Sequence, residues 1–462
     1  MASDLRLGVD GGRLRARSRL DEGESCFVAL SWAGAAPPLD LEDAEERLEQ
    51  TSRFWREWLS GGVFPDHPWR EHLERSALTL KGLIYAPTGA MVAAATTSLP
   101  ETPGGERNWD YRYTWIRDAT FALWGLYTLG LDDEADDFFE WVVDIAGRET
   151  DTLHIMYGID GERELPEEIL AHMEGYRGAQ PVRIGNGAYS QMQHDVWGML
   201  LDSFWLHMSD DEHVPDRLWP LVQTQVEATL EHWREPDHGI WEVRSEPKHF
   251  VSSKVLCWVA VDRGARLADK RRDPETAERW RRAAEEIRAD VLEHGVDERG
   301  VLTQHYDSQA LDASNLLAIL MRFLPADDER AVATVNAIAD GLAEDGHVLR
   351  YRVEETDDGL EGEEGAFVIC SFWLVSALAE IGELERARSL CARLLSEVGP
   401  LGLFAEQVDP KTRGHLGNYP QAFSHLALIN AVVHVIRLEQ DQRRTGRFER
   451  AGRSRREPPE TM

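Results

Sequence analysis

Two glutamates stand out because apolar residues surround each of them in an otherwise acidic chain. Glu242 lies in GIWEVRSEP, residues 239–247, and Glu406 lies in LFAEQV, residues 403–408. A carboxyl group in a partly dry setting holds its proton more tightly, whereas a solvated carboxyl is ionised at neutral pH. Two carboxyls that differ in this way could protonate a leaving oxygen and activate a water molecule, which is the chemistry of glycosidic hydrolysis.

Local context alone leaves other interpretations of Glu242 open. It could be an acid at a solvated edge, or a buried acid in an ion pair. The chain has 83 acidic residues, so a pair selected by its neighbours is a weak signal. The sequence has no GxGxxG motif opening a helix, no Walker A loop, no GxSxG elbow and no HExxH spacing. The common signatures of dinucleotide binding, nucleotide triphosphate binding, serine hydrolases and zinc proteases are therefore missing.

Residues 104–118, GGERNWDYRYTWIRD, interleave aromatic rings with charged side chains. Flat rings stack on the C–H faces of a sugar, and Asp and Arg side chains hold hydroxyl groups by paired hydrogen bonds. An aromatic cluster that closes one end of a helical core would have the same pattern. The spacing favours neither interpretation over the other.

Apolar residues at helical spacing predict twelve helices in the middle of the chain. The predicted helices are 70–85, 118–130, 133–147, 188–208, 215–235, 252–269, 275–294, 312–324, 329–343, 366–381, 384–397 and 420–439.

The connections between these helices alternate between short and long. Short connections join antiparallel neighbours, so the six long ones should emerge at the same end. This predicts an all-α fold, an (α/α)6 toroid of two concentric rings; an open helical solenoid is the alternative, but no repeated signature supports it. Glu242 and Glu406 fall in the third and sixth long loops, at the end where we expect function.

The remaining segments predict the domain organisation. Residues 1–41 indicate a truncated segment of short β-strands, and residues 42–62 indicate a linking helix that ends at a glycine pair. Residues 63–439 form the predicted catalytic domain. Residues 440–462 have few apolar side chains, which predicts a disordered tail.

The formal net charge of −33 argues against nucleic acid and anionic membrane surfaces as partners, and favours a neutral or cationic substrate. The chain has only five lysines among its basic residues. Dense carboxylates with few lysines favour adaptation to high salt, a halophilic character, over a mere compositional bias. Solubility or fold should then be lost in dilute buffer.

The four cysteines show no zinc-ligand or disulfide-framework spacing. The first twenty residues lack the apolar core of a signal peptide, and no apolar run reaches the roughly 18 residues of a membrane span. These features predict a cytoplasmic protein with reduced thiols and no membrane partner. They leave the oligomeric state open.

Three long stretches closely resemble glycoside hydrolase family 15, the glucoamylase-like enzymes, and a fourth, 74–101, is similar to its prokaryotic branch. The resemblance covers about residues 42–438, and its three main stretches are RNWDYRYTWIRDATF (107–121), GIWEVRSEPKHFVSSKVLCWVAVDRG (239–264) and GLFAEQVDPKTRGHLGNYPQAFSHLALINA (402–431). The resemblance implies an (α/α)6 barrel. It also implies exo-acting release of glucose from α-glucosides with inversion, and no metal or organic cofactor.

The resemblance also implies roles for individual residues. Glu242 matches the general acid of the family and Glu406 its general base; in an inverting enzyme their carboxyls should lie about 6.5–9.5 Å apart. Arg117 and Asp118 match the pair that binds glucose at the cleavage subsite. The other expected substrate-binding residues are Trp115, Trp241, Arg350 and Gln407.

The substrate is the main question that the resemblance leaves open. The first expectation is an α-glucan oligosaccharide, and a trehalase of the same family, acting on a disaccharide, is the rival. A non-catalytic carbohydrate-binding or regulatory protein on this scaffold is a third possibility. Prokaryotic members typically carry an N-terminal β-sandwich, for which the roughly 40 residues before the linking helix are too few.

Overall fold

A computed structural model gives the structure, which describes residues 1–32, 34–148, 153–208, 213–360, 362 and 364–445. The chain divides into two compact units, residues 1–62 and residues 63–462.

The first unit consists of two small antiparallel ribbons and one helix. Its strands are β1 (Ala2–Ser3), β2 (Gly8–Asp10), β3 (Arg13–Arg15) and β4 (Val28–Ala29), with β1 paired to β4 and β2 to β3. Gly11 and Gly12, both with positive φ, form the two-residue turn between β2 and β3. Helix α1 (Leu41–Ser60) begins where the Asp40 side chain accepts a hydrogen bond from the Asp43 amide.

The described part of the second unit contains twelve α-helices, in agreement with the predicted number. They are α2 (Arg70–Leu83), α3 (Ala119–Thr128), α4 (Asp132–Arg148), α5 (Asp195–His207), α6 (Trp219–His232), α7 (Val251–Lys270), α8 (Pro274–His294), α9 (Leu317–Leu320), α10 (Glu329–Gly341), α11 (Val368–Glu380), α12 (Leu384–Glu397) and α13 (Ala422–Thr445).

Six of these helices form a closed inner ring. Helix α3 contacts α5, and contacts continue from α5 to α7, α9, α11 and α13, which returns to α3. The outer helices pack on this ring: α2 on α13, α4 on α3, α6 and α8 on α7, and α10 and α12 on α11. The ring closes, so the predicted (α/α)6 toroid is confirmed and the open solenoid is excluded.

The sequences of the helices explain their places in the two rings. Every residue of α11 is buried, as expected for a helix that is apolar on all sides and lies between neighbours. Helix α8 instead buries a single stripe, formed by Ala277, Trp280, Ala284, Ile287 and Val291 at spacings of three and four residues. Each long connection leads from an outer helix to the next inner one, so the six connections meet at one end of the ring.

Short strands brace the long connections. The pairs are β5 (Thr114–Trp115) with β6 (Met156–Tyr157), β7 (Glu168–Ile169) with β8 (Arg183–Ile184), and β9 (Ala343–Glu344) with β10 (His347–Val348); β11 (Ala366–Phe367), β12 (Gln407–Val408) and β13 (His415–Leu416) form a three-stranded sheet. This sheet joins the fifth connection to the sixth.

Two predicted helices differ from the structure at their ends. The segment predicted at 188–208 begins as a helix only at Asp195, because Gly187–Ser190 forms a separate 3-10 turn capped by Asn186. The segment predicted at 312–324 is a 3-10 turn followed by the four-residue α9. The Asp312 side chain accepts hydrogen bonds from both the amide and the hydroxyl of Ser314, which tightens this start.

The C-terminal helix is longer than predicted. Helix α13 continues to Thr445, past the predicted start of the tail at residue 440, and residues 446–462 lie outside the described residues. Among the described helices, α13 alone is long and apolar enough to cross a membrane, with a mean hydropathy of 1.2. Its most apolar stretch of 18 residues is 83% buried inside the protein, so the apolar composition reflects the place of the helix in the inner ring.

A buried ion pair links three inner helices. Arg263 on α7, only 1% exposed, donates from Nε to Asp202 on α5 at 2.6 Å and from Nη2 to the carbonyl of Met321, which follows α9, at 3.0 Å. Removing one partner of a buried pair leaves an uncompensated charge. We expect Arg263→Met to lower the free energy of unfolding by about 3–5 kcal/mol, measured by urea denaturation.

An exposed ion pair provides the control for this prediction. Arg217, in the turn just before α6, pairs with Glu140 on the outer helix α4, and both side chains are about half exposed. Arg217→Met should change the free energy of unfolding by about 1 kcal/mol or less, because solvent screens exposed pairs. Equal effects of the two substitutions would contradict a special contribution from Arg263.

Candidate active site

A pocket opens among the long connections. Its volume is about 840 Å³ when the part open to solvent is included. Five of the six connections contribute to its lining. Both candidate acids line it, as do Trp115, Arg117, Asp118, Trp241 and Arg350. The structure therefore brings together seven of the eight residues predicted for the site.

Glu242 lies in a tight turn that points its carboxyl into the pocket. Its backbone has φ +58°, in the left-handed region that non-glycine residues rarely adopt and that recurs at functional sites. Its Oε1 atom accepts a hydrogen bond from Trp115 Nε1 at 2.7 Å and lies 3.4 Å from Arg117 Nη1. The side chain is 19% exposed, so Glu242 is held in place but remains accessible from the pocket.

The neighbours of Glu242 fix this turn. Trp241 Nε1 donates to Asp312 Oδ1 at 2.9 Å, and the Arg350 guanidinium lies 5.4 Å from the Trp241 ring. On the other side, Arg244 donates its amide hydrogen to the carbonyl of Asp358 at 2.8 Å. The third connection is thus tied to the fourth and the fifth, so contacts that are distant in sequence position Glu242.

Glu406 occupies a drier place than Glu242. It is 5% exposed, and its Oε1 accepts a hydrogen bond of 2.6 Å from the Tyr111 hydroxyl. Its Oε2 has no hydrogen-bond partner among the described residues. Burial is the main cause that raises the pKa of Glu406 well above its usual value, and the nearby charge of Glu101 adds to this shift. The Tyr111 hydrogen bond opposes it.

One aromatic pair reaches both acids. Tyr111 donates to Glu406, and Trp115 donates to Glu242; the two rings meet edge to face with centroids 5.4 Å apart. Neither carboxyl is a hydrogen-bond partner of the other. The two rings therefore hold each acid at its own position in one pocket.

Arg117 and Asp118 form the floor of the pocket beside Glu242. Arg117 Nη1 donates to the carbonyl of Ile240 at 2.6 Å, and its Nε lies 3.7 Å from Asp118 Oδ1. Burial raises the pKa of Asp118 to about 6, an effect that Arg117 opposes and Glu242 reinforces. Asp118 Oδ1 and Arg117 Nε are both buried and face each other, and neither has a hydrogen-bond partner among the described residues.

Arg350 and Gln407 were both expected to bind substrate, but the structure shows their side chains in contact with the protein. Arg350 lines the pocket, but its guanidinium already donates to both oxygens of Glu364. Gln407 is fully buried on β12, its side-chain oxygen accepts from the Gly365 amide at 2.9 Å, and it is absent from the pocket lining. The structure therefore places Gln407 behind the site.

The comparison with known families decides the assignment. The family described as glycosyl hydrolases family 15 matches residues 68–433, which is most of the chain. The chain belongs to glycosyl hydrolases family 15. This membership confirms the resemblance and the predicted enzyme class, a glycoside hydrolase.

The relatives of this family 15 enzyme include proteins named trehalase. Those from Mycolicibacterium smegmatis and Mycobacterium tuberculosis are 63% and 62% identical over 97% and 98% of this chain. The chain spans 68% and 67% of their lengths. The trehalase of Thermoplasma volcanium is 40% identical over 83% of this chain and 61% of its own.

Solved structures of the family share the fold. A bacterial glucoamylase complexed with acarbose has a TM-score of 0.66 at 14% identity, over 86% of this chain and 61% of that chain. The glucoamylase from Saccharomycopsis fibuligera has a TM-score of 0.55 at 13% identity, over 89% and 99%. At these identities the similarity shows the fold alone.

Sequence reasoning missed several pocket residues of this family 15 enzyme. Tyr111 was part of a noted aromatic segment, and its alternation with Trp109, Tyr113 and Trp115 could have placed it on the face of the site. Glu101 gave no local signal, because it stands alone in TTSLPE. Its burial and contacts arise only when the first, fifth and sixth connections meet.

Proposed function

We propose that this enzyme is a trehalase, which hydrolyses α,α-trehalose to two glucose molecules with inversion at the cleaved carbon. The observation that carries the proposal is the identity of 62–63% over nearly the whole chain to relatives named trehalase. The expectation of an α-glucan substrate came from the resemblance to the glucoamylase-like family, and the structural neighbours named glucoamylase share only the fold with this chain. The negative charge of the chain is compatible with a neutral disaccharide.

The proposed reaction uses the two acids in opposite directions. Their roles follow the family motifs and not their burial, because the drier acid, Glu406, is the base. Arg117 and Asp118 hold one glucose unit by its hydroxyls. Glu242 gives its proton to the oxygen between the two anomeric carbons as the bond to the held glucose breaks. A water molecule attacks the anomeric carbon of the held glucose from the face opposite the breaking bond and gives a proton to Glu406. Proton exchange with solvent then returns both acids to their starting states.

A sugar screen tests the substrate. We expect kcat/KM for trehalose to exceed that for maltose, isomaltose and maltooligosaccharides by at least about 100-fold, because a site built to bind particular hydroxyls rejects sugars that place them elsewhere. Preference for maltooligosaccharides would establish the α-glucan hydrolase instead. Absence of turnover for every sugar would contradict the proposed function.

The anomers of the products test the mechanism. Both anomeric carbons of α,α-trehalose have the α configuration, and only one of them is attacked. Inversion therefore releases one β-glucose and one α-glucose, whereas retention would release two α-glucose molecules. Proton NMR in the first minutes of the reaction should show equal amounts of the two anomers, and an initial excess of α-glucose would contradict inversion.

A further inference from the structure

Buried charges beside Glu406 form a network in which the arginines are already paired. Arg107 donates to Asp358, with Nη2 3.0 Å from Oδ2, and to Glu364. Arg350 donates to the same Glu364, with Nε 3.0 Å from Oε2. Two arginines are thus matched by two carboxylates at hydrogen-bond distance, so the charges balance within this set.

Glu101 adds a further acid to this network, next to Glu406. It is 3% exposed and lines the same pocket. A Cβ atom built on Gly417 would lie 3.0 Å from Glu406 Oε2 and 3.7 Å from Glu101 Cγ, so the two side chains meet at this glycine. Gly417 is fixed there because its amide donates to the carbonyl of Pro100 at 2.8 Å.

Glu101 and Glu406 have no arginine of their own among the described residues that line the pocket. The other arginines that line the pocket pair elsewhere: Arg117 lies 3.4 Å from Glu242, and Arg244 lies 3.7 Å from Glu167. Two neighbouring buried carboxyls without their own cations cannot both ionise easily, so the pair keeps a proton. The groups that act on the pair are Arg107, Arg350, Glu364, the Tyr111 hydroxyl and the Gln407 amide.

The pKa shifts of Glu101 and Glu406 agree with this shortage of neighbouring positive charge. Burial and the charge of Glu364 raise the pKa of Glu101 to about 7, although Arg350, Arg107 and the Gln407 amide oppose the shift. Burial and the charge of Glu101 raise the pKa of Glu406. Protons leave such a pair in two steps that belong to both groups.

We propose that Glu101 is a positioning residue for the base: it shares one proton with Glu406 and thereby sets the pH at which the enzyme becomes active. An ionised Glu101 makes proton loss from Glu406 harder, so less Glu406 is ionised at any given pH than beside a neutral neighbour. Once ionised, Glu406 is correspondingly the stronger base. Glu101 acts through Glu406 and takes no proton from substrate.

The first test is the pH dependence of kcat/KM for trehalose in Glu101→Gln. The amide keeps the shape of the side chain but removes the neighbouring charge, so the acidic limb of the profile should move to lower pH. The maximum should fall, because the base becomes weaker. Glu106→Gln, which removes an exposed acid of the same connection, should leave the profile unchanged. An acidic limb that stays in place, or moves to higher pH, would overturn the proposal.

A second measurement needs no substrate, and its wild-type titration curve needs no Glu101 variant. In wild-type protein labelled with ¹³C at glutamate Cδ, the Glu406 resonance is identified by its loss in Glu406→Gln. It should titrate in two steps in the wild type, and in one step at lower pH in Glu101→Gln. A single ordinary step in the wild type would refute the shared proton. The inference rests on the proposed role of Glu406, but a different sugar preference would leave this titration intact.

Discussion

Glu242→Gln is expected to lower kcat for trehalose by about 10³-fold, within the range that a general acid contributes. The leaving group is a sugar hydroxyl, which departs poorly as an alkoxide and therefore needs the proton that an amide cannot give. The amide oxygen can still accept the hydrogen bond from Trp115 Nε1, which holds Glu242 Oε1 at 2.7 Å. Substrate binding should consequently change little, and the loss should appear in kcat and not in KM.

A second substrate separates loss of the acid from general damage. Fluoride leaves α-glucosyl fluoride without protonation, so Glu242→Gln should hydrolyse it far better than it hydrolyses trehalose, as measured with a fluoride electrode. The control is Glu246→Gln, an exposed acid in the same stretch, which should keep wild-type activity on both sugars. Equal losses on both substrates in Glu242→Gln would contradict its assignment as the acid.

The twelve helices could be predicted from sequence because their physics is local. Periodic apolar residues determine which face each helix buries, and the alternation of short and long connections determines its direction. The exceptions are places where a side chain from another element intervenes. Asp312 binds both Ser314 and Trp241, so the helix predicted at 312–324 starts as a 3-10 turn and contributes to the site indirectly.

The active site could be predicted only in part, because burial and pairing depend on contacts between distant connections. Glu242 and Glu406 were visible through their apolar neighbours and the family motifs. No local feature of the chain indicated that Glu364 would pair with the Arg350 guanidinium, or that Gln407 would lie behind the pocket. Nor could it indicate that Glu101 lies beside Glu406, since the chain between them forms most of the ring.

The second large effect is expected for Glu406→Gln, which should lower kcat for trehalose by about 10³-fold. The reason differs from that for Glu242. Without a carboxylate to take its proton, water is a poor nucleophile whatever the leaving group. Glu406→Gln should therefore lose hydrolysis of α-glucosyl fluoride as well as of trehalose. Tyr111 can still donate to the amide oxygen, as it does to Glu406 Oε1 at 2.6 Å, so the fold should be kept.

An external anion provides the decisive control for Glu406→Gln. Azide needs no base, and in the variant it can take the place of water on the face opposite the leaving group. Added azide should restore consumption of α-glucosyl fluoride and give β-glucosyl azide, because a single displacement inverts the carbon. Glu354→Gln, an exposed acid of the fifth connection, should neither lose activity nor respond to azide. If Glu406→Gln still hydrolyses the fluoride, the base lies elsewhere; an azide product of α configuration would mean that another residue first forms a glycosyl-enzyme intermediate, so the reaction would be retaining and Glu406 would not be the base of a single displacement.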